Sequence, residues 1–200
     1  MRYDAEHKQK TRARVLEEAA SAIRLEGPDR VGVAGIMARA GLTHGGFYAH
    51  FASKDDLLAQ AIEQMFVEGR ERFWKVVGDK PPAEALRAYI DFYLSERHRD
   101  HRDRGCPLPA LSGDVARLSV SAREAFEVGI GRLRVAFETR LSALGAADPE
   151  TLATSMLSEM VGALVMSRSV ADPKRSDIIL AASKASLLAR LETLPMTAQE

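Results

Sequence analysis

The chain has 200 residues, 46% of them apolar and 28% charged, with 28 basic and 28 acidic residues and one cysteine. That length allows one or two domains with buried cores, and the composition is that of a globular chain, not a fibrous or disordered one. No apolar run approaches the ~18–20 residues of a membrane span, the polar N-terminus lacks a signal-peptide core, and a lone cysteine makes no intrachain disulfide. A cytoplasmic protein without a membrane partner is therefore expected. Residues 1–54 hold nine Lys and Arg against six Asp and Glu, an excess of three that the remainder balances. Such a head hints at an anionic partner, although a chance fluctuation reads the same way.

Helical periodicity sets the order of elements. Leu16, Ala20 and Ile23 line one face of a first helix of about twenty residues, stopped by Gly27-Pro28, a left-handed end followed by a residue that cannot continue a helix. A short helix fits residues 33–40, closed by Gly41, and another follows Thr43, a residue suited to the N-cap. Ser53 caps the next helix, with Asp55 and Asp56 in its first turn and Leu57, Leu58, Ala61, Ile62, Met65 and Phe66 on its core face. After a break at 78–82 comes a helix with Leu86, Tyr89, Ile90, Tyr93 and Leu94 on one stripe. The charged segment ERHRDHRDRG reads as a solvated loop. A short helix after Pro109 precedes a long one whose stripe is Phe126, Ile130, Leu133, Phe137, Leu141 and Leu144. Asp148-Pro149 and Asp172-Pro173 each open a helix, with Asp as N-cap and Pro at the first position. No segment alternates like a strand, so the expected fold is all-α with about nine helices.

The last two helices are apolar over more than one stripe, which requires burial on two sides. One side serves the subunit's own core; the second faces another copy in a two-fold dimer or, alternatively, the interior of a monomer.

The stretch GLTHGGFYAHF, residues 41–51, crowds glycines and rings between helical patterns. Two short helices joined by a tight glycine-containing turn form a helix-turn-helix unit, whose second helix enters the DNA major groove. Residues 11–58 resemble the N-terminal DNA-binding domain of the tetracycline-repressor (TetR) family. Gly27, Ile36, Ala40, Gly41, Thr43, Gly45, Tyr48, His50, Phe51, Ser53, Lys54 and Leu57 match its pattern. The resemblance implies a DNA-binding domain at 1–53 with three helices, and a helical ligand-binding and dimerisation domain at 54–200. It implies a repressor that binds a palindromic operator as a homodimer through its last two helices and is released by a small-molecule inducer or by chemical modification. Thr43, Tyr48, His50 and Lys54 match positions that touch the DNA backbone. His44 stands where many members carry Lys, and Gly45 and Gly46 let backbone come close to the groove. Phe47 and Phe51 are expected beneath the helix as packing. This sequence departs from the family at Gly32, Ala34, Gly35 and Gly46, where possible contacts are missing. Arg12 and Arg39, with Lys8, Lys10, Arg14 and Arg30, are candidates to compensate by phosphate attraction.

For the ligand the expected lining is Phe66, Phe73, Tyr89, Phe92, Tyr93, Phe126, Met156, Met160 and Leu164, rings and thioethers that shape an adaptable apolar pocket. At helical spacing, most of these are equally core. Cys106 follows Arg102 and Arg104 and reads either as a reactive thiol that senses oxidants or electrophiles, or as a small buried hydrophobe. His98, His101 and Cys106 match no familiar closed metal site, and neither metal nor cofactor is expected. No G-x-S-x-G, H-E-x-x-H or phosphate loop is present, so no enzyme is expected. A helical interaction protein that does not bind DNA is the alternative, but it leaves the ring-and-glycine pattern without a purpose.

Overall fold

A computed structural model describes residues 2–195 and, from residue 6 onward, their side chains. Among the described residues there are nine α-helices, three short 3-10 helices and no strand. The α-helices are α1 (Arg2–Glu26), α2 (Val33–Arg39), α3 (Lys54–Val77), α4 (Pro82–Tyr93), α5 (Glu96–Asp100), α6 (Pro107–Leu111), α7 (Val120–Ala143), α8 (Pro149–Ser169) and α9 (Pro173–Glu192). The 3-10 helices are His44–Ala49, Arg102–Arg104 and Val115–Arg117.

The chain forms two compact units, Met1–Glu68 with Arg102–Gly129, and Gly69–His101 with Ile130–Glu200. In the first, α1 packs on α2, on α6 and on the 102–104 turn, and α2 packs on the 3-10 helix at 44–49. Val15, Ala19 and Ile23 of α1, Met37 of α2, Phe47, Phe51, and Ile62 and Met65 of α3 are buried there. Each such large side chain contributes about 1.5–3 kcal/mol of apolar burial. Phe66 meets Phe126 edge to face at 5.5 Å, and its ring lies directly on the backbone of Gly129, where any Cβ would collide with it.

In the second unit α8 and α9 form an antiparallel pair, α4 lies on α9 and α5 on α8. Phe73, Tyr89 and Phe137 meet ring to ring, with Tyr89 at 4.7 Å from Phe73 and 5.7 Å from Phe137. Arg140 lies over both Phe73 and Trp74, and burial lowers its pKa.

The caps follow the sequence in three cases. Ser53 Oγ accepts from Asp56 N–H at 3.0 Å, Asp148 from Thr151 at 3.1 Å and Asp172 from Lys174 at 3.0 Å. Asp56 answers Ser53 by accepting from Ala52 N–H at 2.9 Å. Thr43 does occupy the N-cap position in an extended conformation, but its side chain makes no capping bond. A 3-10 helix places its next N–H groups differently from an α-turn, and the Gly46 N–H goes to the Thr43 carbonyl instead.

Two further expectations are corrected. The charged segment after Ser95 is not a solvated loop. Ser95 caps α5 by accepting from His98 N–H at 3.1 Å, and His98 is buried. Arg99 Nη1 donates to Ser176 Oγ at 2.9 Å and to Asp177 at 2.5 Å, while Arg168 donates to the carbonyls of His98 and Arg99. Arg99 and the backbone are thus spent on partners from α8 and α9, whereas Glu96, Arg97, Asp100, Arg102 and Arg104 remain exposed as expected. Ile130, placed by periodicity on the core stripe of α7, is 40% exposed.

Candidate nucleic-acid interface

The turn between α2 and the following 3-10 helix is fixed by Gly41. Its φ of +66° closes α2, with Leu42 N–H donating to Met37 O and Gly41 N–H to Ala38 O, both at 2.9 Å. This paired arrangement satisfies the last carbonyls of α2 and needs a residue at ease in the left-handed region. The chain then enters His44–Ala49 at once. Phe47 and Phe51, 1% and 2% exposed, stack at 5.6 Å and anchor this short helix from below. Tyr48 meets the edge of Phe47 at 5.2 Å yet remains 73% exposed. Six residues of 3-10 helix would not hold alone; the two buried rings hold them.

Thr43, His44, Gly45 and Tyr48 are exposed and lie on one short segment, with Gly46 and His50 half-buried and Lys54 exposed at the start of α3. A Cβ at Gly45 would meet nothing within 4 Å, and one at Gly46 only the Met37 methyl at 3.7 Å and Thr43 Oγ1 at 4.0 Å. The protein's own packing therefore does not require glycine at either position. What these glycines leave bare is the outer surface.

His50 lies where α1 meets this segment. Its Nδ1 is buried without a hydrogen-bond partner. Burial, then Lys8, then Arg12 push its pKa below the ordinary imidazole value. The imidazole is thus held neutral beside two cations, a local excess of positive charge suited to an anion.

Arg12 is more engaged than its sequence position suggests. It donates to Gln60 Oε1, and its guanidinium lies 5.4 Å over the Phe51 ring. Gln60 in turn donates to Asp56 Oδ1 at 2.6 Å, so Arg12 ends a relay that begins at the cap of α3. Arg39 forms an ion pair with Glu26 in the last turn of α1. Arg12 and Glu26 are fourteen residues apart on one helix, about 20 Å. The structure therefore joins Arg12 to the His50 end of the site and ties Arg39 to the other end of α1.

The candidate ligand residues fall into separate clusters. Phe66 pairs with Phe126 in the first unit. Tyr89, Phe92 and Tyr93 surround one another and His98, with Phe92 stacked on His98 at 5.6 Å. Met156, Met160 and Leu164 are wholly buried in α8. A groove of about 630 Å³ runs along α9 between Leu94, Ser95, Glu96 and Arg97 on one side and Asp177, Ala181, Lys184 and Leu188 on the other. None of the candidate residues lines it.

Cys106 is half-buried and precedes α6. His98 Nδ1 is 2.8 Å from the Tyr93 carbonyl and His101 Nδ1 2.9 Å from that of Arg97. No group of three or more metal-ligating side chains gathers among the described residues. Arg24, absent from the sequence-derived site, is a buried cation within this unit, 3% exposed. Its signal was present: it lies four residues after Ala20 on the apolar stripe of α1, where a charge needs a partner.

Comparison with known proteins gives two adjacent family matches. Residues 15–61 match the model for bacterial regulatory proteins of the tetR family, and residues 82–178 that for the C-terminal domain of LmrA/YxaF-like transcriptional regulators. An uncharacterised HTH-type transcriptional regulator of Bacillus subtilis, YfiR, is 27% identical over 103 residues, which are 52% of this chain and 50% of YfiR. The match thus spans about half of that curated relative. Among solved structures, a TetR transcriptional regulator from Chloroflexus aurantiacus superposes with a TM-score of 0.82 at 25% identity, covering 94% of this chain and 98% of that one. Reduced NemR of E. coli shares the fold with a TM-score of 0.80 at 20% identity, over 95% of this chain and 100% of NemR. No described helix is long and apolar enough to cross a membrane.

Proposed function

The chain belongs to the tetR family of bacterial regulatory proteins, and from that premise we propose that it is a DNA-binding transcriptional repressor of the cytoplasm. It binds a palindromic operator as a homodimer and leaves it on binding a small-molecule inducer or on chemical modification. The observation that carries the reading is the surface from Thr43 to Lys54. Hydroxyl, phenol and imidazole groups stand exposed or half-exposed on and beside a short helix whose rings are anchored below and whose glycines are free of internal crowding, with the Lys54 ammonium exposed at the start of α3. Phosphate contacts from Thr43, Tyr48, His50, Lys54 and Arg12 fix the register. Base reading falls to His44 and Tyr48, with Gly45 and Gly46 admitting the groove edge. Arg39, paired with Glu26, contributes at the far end of α1.

The dimer is supported by what α8 and α9 leave uncovered. Between Thr151 and Ser169 the exposed residues are Thr, Ser, Val and Met, and between Ser176 and Leu191 they are Ile, Ala and Ser, none charged. Val165, Met166 and Ile178 are 39%, 59% and 65% exposed. The charged side chains Glu159, Asp177, Lys184 and Arg190 of these stretches are only partly exposed and are engaged in ion pairs, and a face so dominated by small and apolar residues suits a self-complementary two-fold contact. Two copies so joined can present recognition helices about one DNA turn, ~34–36 Å, apart. An inducer that binds better to another spacing releases DNA. Its candidate lining is either Phe66 with Phe126 in the first unit or Tyr89, Phe92, Tyr93, Met156, Met160 and Leu164 in the second.

Selection of duplexes from a random pool tests the reading, followed by titration of the enriched duplex at low and high salt. An enriched palindrome whose affinity falls steeply with salt is expected; no salt-dependent binding to any duplex would overturn the proposal.

A further inference from the structure

The first compact unit contains a buried cation that DNA contact does not explain. Arg24, in the last turn of α1, has a side chain only 2% exposed. Its Nη2 donates to Glu68 Oε2 at 2.7 Å and to the Met65 carbonyl at 3.4 Å, both on α3. Its Nη1 donates to the Asp103 carbonyl at 3.3 Å, in the 102–104 turn. The turn reaches back: Arg102 Nη2 donates to the Leu25 carbonyl at 3.4 Å. Gln64 holds the second Glu68 oxygen at 3.3 Å. One guanidinium thus binds the end of α1, the middle of α3, and a turn 79 residues further along the chain.

A buried ion pair is a poor way to gain stability, because desolvation of both charges offsets their attraction, and apolar residues of similar volume serve as well or better. This one is also incompletely satisfied. Only the Glu68 bond is short, and Arg24 Nε is buried with no hydrogen-bond partner. What the arrangement supplies is direction. The guanidinium has a fixed fork geometry, so the Asp103 carbonyl, the Met65 carbonyl and Glu68 can all be reached only when the three elements are in one relation.

We propose that Arg24 is a positioning residue for DNA binding: it couples the seating of α1 and α3, which flank the helix-turn-helix, to the conformation of the 102–104 turn. The coupling is reciprocal. Whatever displaces the turn weakens DNA binding, and bound DNA holds the turn in place. The proposal rests on the DNA-binding reading above.

Cys106, two residues beyond the turn and half-buried, serves as the reporter. Alkylation by iodoacetamide is timed with and without a saturating duplex enriched from the random pool. The proteins are the wild-type chain, Arg24→Lys, Arg24→Met, and Arg24→Met with Glu68→Leu. The duplex is expected to slow alkylation at least fivefold in the wild type and to have no such effect in the two Met-containing proteins. The thermal midpoint and salt slope of the apolar pair should stay near those of the wild type, while Arg24→Met alone should melt lower because it leaves Glu68 unpaired, and partial slowing should be restored in Arg24→Lys. Simple shielding of Cys106 by DNA would slow all four proteins alike and overturn the proposal, as would a wild-type rate that the duplex leaves unchanged. Should Arg24→Met fail to fold, the apolar pair, which leaves no unpaired carboxylate, decides. A wild-type chain that binds no duplex overturns the DNA-binding reading, and this proposal with it.

Discussion

His98 and Tyr93 meet across the junction of α4 and α5, the imidazole Nδ1 2.8 Å from the Tyr93 carbonyl and the two rings edge to face at 4.7 Å. Burial pushes the His98 pKa down to about 4, against a smaller upward pull from the Tyr93 carbonyl, with Arg168 and Arg72 adding to the fall. The ring is neutral in the folded protein at neutral pH.

That relationship gives a pH dependence of stability. Between pH 6.5 and 4 the unfolded chain binds a proton at His98 that the folded chain refuses, so stability falls with falling pH through this window. The full loss is roughly 3 kcal/mol. Urea unfolding between pH 7.5 and 4.5 is expected to show a shallower acid decline in His98→Gln than in the wild type. Equal slopes would assign the acid loss to the carboxylates.

Lys54 and Arg12 are expected to separate charge from architecture. Lys54 is exposed, and Lys54→Ala should weaken binding to all duplexes and reduce the salt slope by about one, with the thermal midpoint unchanged. Arg12→Ala should reduce the slope similarly but also lower the midpoint, since it abandons Gln60 and the Phe51 ring. Calorimetry alongside the binding titrations checks both.

Gly45→Ala is expected to leave the fold intact, because the added methyl enters open space. Helical alanine is favoured over glycine by about 0.5–1 kcal/mol, so the thermal midpoint should hold or rise. If DNA approaches this edge closely, affinity for the enriched duplex should nevertheless drop about tenfold. Tight binding by the variant would move the DNA contact elsewhere.

Ala182→Glu places a charge among the exposed small and apolar residues of α9, Ile178, Ala181, Ala185 and Ala189. Analytical ultracentrifugation at micromolar concentration should find the wild type dimeric and the variant shifted toward monomer, with much weaker binding to a palindrome and less change on a half-site. A wild type that sediments as a monomer would remove the homodimer from the mechanism.

Local rules carried the recognition segment. Gly41 ends α2, Ser53 opens α3, and Phe47 and Phe51 are buried, as the resemblance and the usual burial of large rings lead one to expect. These features depend on residues a few positions apart, which a sequence displays directly. The segment from Ser95 to Gly105 was misread for the opposite reason. Its charge density suggests water, but Arg99 and the backbone beside it find Ser176, Asp177 and Arg168, about 70 or more residues away. Arg24 likewise depends on Glu68 and Asp103. Neither compact unit is continuous in sequence, since residues 102–129 join the first and 69–101 the second, and periodicity along the chain carries no information about such pairing. The ligand lining was the least legible part, because rings and methionines at helical spacing mark a core and a pocket in the same way.

The bare backbone of Gly129 beneath the Phe66 ring has a consequence in genetics. A single added carbon at this codon forces the ring off its seat, at a cost of about 1–3 kcal/mol for overpacking. That is a sizeable part of the stability of a small protein yet not all of it. Gly129→Ala should therefore behave as a conditional allele, silent in cool culture and lost on warming, far along the chain from the segment between Thr43 and Lys54.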